Sequence, residues 1–162
     1  MNAVDPAREK VERADAIVRE FQEPVIDDPT VFVKGAALGA LTLTELMKLG
    51  QARSQDPKLR QAADRIRTSQ EALSKELARV AGRKRLDVPG SLVHEDEQML
   101  QGAPAEPGPE FDDWLRRQAN AEHIKAQTLF GAAANMKDAE LAAFAKRTLP
   151  TLEADQKALF AP

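Results

Sequence analysis

PKLRQAADRIRTSQEALSKELARVAG, residues 57–82, is the stretch whose reading decides the fold. Asp56 precedes Pro57 as a capping carboxylate, and Gly82 closes the run, so both helix boundaries are written in residue chemistry. Between them Leu59, Ala63, Ile66, Gln70, Leu73, Leu77 and Val80 follow one another in steps of three and four. That spacing lays one stripe along a helix, which must be buried against other helices. Only Gln70 is polar on the seam.

Working outward, Asp28-Pro29 starts a helix over 29–54, and the short joint to Pro57 makes the two an antiparallel hairpin. Gly108-Pro109 opens a helix over 109–134 without a capping side chain, and a second tight joint leads to a helix over 138–159. Pro150 sits inside that last helix, where it frees the Lys146 carbonyl and predicts a kink. Residues 82–108 are too many for a turn and enough to cross the length of a bundle. Within them Ser91–Gln101 reads as a short helix, with Ser91 as cap and Leu92, Val93, Met99 and Leu100 as anchors. Two hairpins joined by one long crossover predict an all-α, ferritin-like four-helix bundle. Asp5-Pro6 starts an extra N-terminal helix over 6–22, with Val11, Ala14, Val18 and Phe21 on one face, followed by the two-proline hinge "EPVIDDP". The chain thus divides into an amphipathic helix and hinge, 1–27, and the bundle, 28–162.

The bulk numbers agree. A chain of 162 residues with 43% apolar and 30% charged residues and few aromatics suits one helical domain. Its net charge of -3 comes from interspersed acids and bases, with no basic stripe for a phosphate backbone, so nucleic acid is not an expected partner. Without cysteine there is no disulfide, thiolate site or thiol nucleophile. The apolar run "GAALGALTL" is too short to span a bilayer, so no transmembrane segment is expected. "MNAVDPAREK" does not read as a signal peptide. The expected location is the periplasm or exterior if a signal peptide has been removed, and the cytoplasm otherwise. No serine or threonine is set with a histidine and an acid as in a hydrolase, and no glycine-rich phosphate loop occurs.

Each of the four long helices carries one polar interruption. Glu45 shares a face with Leu38, Leu41, Leu49 and Ala52; His123 with Ala119, Ala126 and Phe130; Asp155 lies between Leu152 and Leu159; Gln70 is on the seam above. Counted from the hairpin turns at about 1.5 Å per residue, the four fall within one or two turns of one level. Glu45, His123 and Asp155 with an open position would form a zinc- or iron-binding set. The competing reading is a hydrogen-bonded polar layer that includes Gln70 and fixes helix register. A di-metal centre would need Glu-x-x-His pairs, and Asn120 stands three residues before His123. An imidazole between two carboxylates would hold its proton above the usual histidine range. Elsewhere, His94 reads as crossover surface, "GRKR" (82–85) as a basic helix end, Trp114 as an interhelical anchor, and Gly35 with Gly39 as a face for close helix packing.

"DDPTVFVKGAALGALTLTELMKLGQARSQDPKLRQAADRI" and "FDDWLRRQANAEHIKAQTLFGAAANMKDAELAAFAKRTLPTLEADQKAL" resemble the bacterial DUF4142 family over roughly residues 28–160, leaving 6–22 outside. The resemblance implies a ferritin-like helical fold, signal peptides in many members and no established activity. Members usually show a "DH" where this chain has Ser69-Gln70, and often a histidine where it has Asp155; Glu45 and His123 match. The expected function is therefore a non-enzymatic accessory or interaction protein of the bacterial envelope with no cofactor. The alternative is a metal-binding protein with a reduced Glu/His/Asp site holding iron or zinc weakly. A protein partner, or a second copy in a homodimer, is the expected interaction; otherwise the chain is a monomer.

Overall fold

The computed structural model describes residues 26–162. Among them are five α-helices: α1 (Pro29–Arg53), α2 (Pro57–Arg83), α3 (His94–Gln101), α4 (Pro109–Ala133) and α5 (Ala139–Ala158). No strand occurs among the described residues. The proposed helix 6–22 and its division from the rest lie outside them. Aspartates cap three of the helices: Asp28 accepts from the Thr30 N–H and Asp56 from the Lys58 N–H, both at 2.9 Å, and Asp138 accepts from the Leu141 N–H at 3.1 Å. Each satisfies an N–H that has no partner within the helix.

The apolar side chains fall into two clusters, and their membership gives the directions of the helices. One joins Phe32 near the start of α1, Val80 near the end of α2, Phe130 near the end of α4 and Phe144 near the start of α5. The other joins Met47, Leu59, Phe111 and Leu159 from the opposite ends. So α1 and α5 run one way, α2 and α4 the other, and the crossover 84–108 carries the chain back along the length of the core. Each long helix packs on two others, in the ring α1–α2–α5–α4. Phe32 meets Phe130 edge-on at 5.1 Å, and Trp114 packs beside Phe111 at 6.0 Å.

All seven predicted seam residues of α2 are buried. In α1 the predicted face is wrong. Leu38, Leu41 and Leu49 are only partly buried and Ala52 is exposed, whereas Phe32, Val33, Ala36, Ala40, Leu43 and Met47 form the inner face. The cause is that α1 is apolar nearly all round, so periodicity does not pick out one stripe. The same feature makes α1 long and apolar enough to cross a membrane, at a mean hydropathy of 1.3 over eighteen residues, although half of that window is buried in the core. The crossover helix begins at His94 instead of Ser91 and has no side-chain cap. Pro150 leaves α5 unbroken, and both it and Lys146 are exposed. The basic end of α2 is an ion-pair clamp on the start of α5: Arg83 binds Glu140, and Lys84 binds Asp138 at 2.8 Å. The Asp138 hydrogen bond raises the Lys84 pKa above the usual range.

Candidate functional site

Between the two apolar clusters lies a polar layer. On α2 Gln70 stands between Ile66 of one cluster and Leu73 of the other, on α4 His123 between Ala119 and Phe130, and on α5 Asp155 between Leu152 and Leu159. His123 and Asp155 have no exposed surface and Gln70 has 2%. The His123 Nδ1 lies 2.8 Å from the Ala119 carbonyl, so Nδ1–H donates there and Nε2 is left bare. Asp155 accepts at Oδ1 from Arg65 Nε at 3.2 Å, and the Ser69 side chain also bonds it. Three buried atoms in this layer have no hydrogen-bond partner: Gln70 Nε2, His123 Nε2 and Asp155 Oδ2.

Burial governs the protons. It pushes the His123 imidazole below the usual histidine range, against the Ala119 carbonyl and the charges of Asp155 and Glu122, which act the other way. The expected cationic His123 is thereby corrected. Removing water from an imidazolium costs more than these neighbours return. Burial likewise pushes Asp155 up, against the Ser69 bond and the nearby Arg65 and His123.

Glu45 does not join the layer. Its side chain is 43% exposed and pairs with Lys48 on its own helix at 2.9 Å. The buried polar residue of α1 is Thr42, whose Oγ1 donates to the Leu38 carbonyl at 3.0 Å or to Asp96 Oδ2 of α3 at 3.1 Å. The structure thus brings His123, Asp155 and Gln70 to one level and leaves Glu45 out. Among the described residues no group of three or more histidine and carboxylate side chains is placed to hold a metal ion. Sequence reasoning missed Ser69, Arg65, Thr42 and the buried Glu122. For Arg65 the only signal was its place one turn before Ser69. His94 is exposed.

Beside the layer is a cavity of about 290 Å³ between α1 and α4. Gly35, Gly39 and Ala40 of α1 and Ala126, Leu129 and Phe130 of α4 wall it, Gln70 reaches it from α2, and Asp96, Glu122 and Lys125 rim it. The close packing expected of "GAALGA" is found at Gly35 and not at Gly39. A Cβ on Gly35 would meet Leu129 at 2.9 Å, but one on Gly39 would meet nothing within 4 Å. A second close helix approach is at Gly50, against Leu115 and Ala63.

The family model described as "Domain of unknown function (DUF4142)" matches residues 17–161. The match starts earlier than the motifs suggested and takes in the end of the segment 6–22. No curated protein and no solved structure matches the chain.

Proposed function

The chain belongs to the DUF4142 family, and from that premise we propose that it is a non-enzymatic, ferritin-like four-helix bundle serving as an accessory or interaction protein of the bacterial envelope. The ferritin-like reading is supported by the paired directions of α1 with α5 and α2 with α4 and by the long crossover. The envelope reading rests on the resemblance to family members that carry signal peptides. The observation that carries the non-enzymatic reading is the complete burial of His123 and Asp155. A general base or nucleophile must come within hydrogen-bond reach of a substrate, and this pair is closed in by both apolar clusters. In this reading Gln70, His123 and Asp155 form a polar layer that sets the register of the helices.

The second reading, a metal-binding protein, is favoured by one observation, the unpartnered His123 Nε2 and Asp155 Oδ2 in one buried layer. A metal there would have one imidazole and one carboxylate, a weak set for zinc or iron. Following the His123 imidazole by NMR separates the two readings. A structural layer gives a pKa below the usual histidine value and no response to zinc or iron(II). Stoichiometric binding that shifts His123 and disappears in His123→Gln overturns the non-enzymatic proposal.

A further inference from the structure

We infer that the α1–α4 cavity is a binding site for a small organic ammonium ion with an apolar body and a second hydrogen-bonding group. The inference rests on the reading of the chain as a non-enzymatic interaction protein, but on residues other than His123 and Asp155. The walls are glycine, alanine, leucine and phenylalanine, which favour an apolar body. At about 290 Å³ the space is roughly twice that of a cavity that takes benzene, which sets a scale of about ten non-hydrogen atoms.

The charge at the rim sets the sign of the ligand. Asp96 is held by Thr42, Glu122 is 8% exposed, and the Lys125 ammonium that pairs with Glu122 at 3.0 Å belongs to a side chain 69% exposed. Two carboxylates thus face one ammonium that can swing into solvent. An anionic ligand would add a third carboxylate to this rim, whereas a cation replaces or joins Lys125. Gln70 also lines the cavity, is only 2% exposed, and leaves its Nε2 without a partner. An unpaired buried amide is costly, and a ligand hydroxyl or carbonyl would satisfy it.

Tyramine, phenethylamine and 3-(4-hydroxyphenyl)propanoate, titrated by calorimetry and by backbone NMR, test this. Tyramine is expected to bind at least tenfold tighter than the carboxylate and severalfold tighter than phenethylamine, with the largest shifts at Gly39 and Ala126. Gly39→Leu, whose side chain grows into open space, should abolish binding without lowering the parent's thermal transition. Lys125→Ala should tighten tyramine binding severalfold by removing the resident cation, and Asp96→Asn should weaken it. Carboxylate binding as tight as tyramine, unchanged binding in Gly39→Leu, or no binding of any probe at 10 mM overturns the inference. Such a failure leaves the behaviour of His123 towards metals untouched, so it is separable from a failure of the functional reading.

Discussion

His123 shows what the sequence can and cannot say about a single residue. Its place on an apolar stripe was legible from Ala119, Ala126 and Phe130, and its burial followed. Its protonation was not, because counting nearby charges misses desolvation, which dominates here. Glu45 failed for a related reason: a carboxylate on an all-round apolar helix was assigned to the inner face, while Lys48 three residues on keeps it outside. The shifts fix signs for stability. A histidine whose folded pKa is depressed makes the unfolded state bind more protons below about pH 6.5, so His123 should cost stability as pH falls through that value. Asp155 has the opposite shift and its folded form takes up a proton more readily, so its buried carboxylate costs stability at pH values above its raised pKa. Urea unfolding between pH 7 and pH 5 should show a loss in the parent that is smaller in His123→Gln. Asp155→Asn should be at least as stable as the parent at pH 8; a clear loss there would mean that the Arg65 and Ser69 bonds outweigh burial.

At the scale of elements, α2 was the most legible because its stripe is narrow and its opposite face charged. Ile66→Asp puts a charge at a fully buried position with no partner and should cost several kcal/mol, comparable with the stability of a domain this size. Leu73 is 7% exposed and lines the α1–α4 cavity, so Leu73→Asp should melt higher than Ile66→Asp. Thermal melts of both variants check the order. Gly39 was misassigned because the small-x-x-x-small pattern gives spacing without saying how much of the face meets a neighbour. Gly39→Ala should stabilise by about 1 kcal/mol through helix propensity. In Gly50→Ala the new Cβ would lie 2.6 Å from Leu115, itself fully buried, and 3.3 Å from Ala63. That variant should be destabilised by about 1–2 kcal/mol despite the propensity gain. Equal melting temperatures for the two would show that α1 sits otherwise.

For the whole molecule, the joints 54–56 and 134–138 and the crossover made the connectivity readable, since a short joint permits only an antiparallel neighbour and a long one does not. What lies between the helices was not readable. The cavity exists because Gly39 faces open space and because Thr42 and Asp96 tie α3 across its edge, contacts between residues far apart in the chain. The central claim is that the molecule is held by two apolar clusters around a closed polar layer, with no metal needed to join the helices. Thermal unfolding of the whole chain with and without 100 µM zinc tests it most directly, because a ligand at one hundred times its dissociation constant adds about 2.7 kcal/mol to the folded state. The account predicts the same midpoint in both conditions, for the parent and for His123→Gln. A rise of several degrees in the parent, lost in His123→Gln, would contradict it.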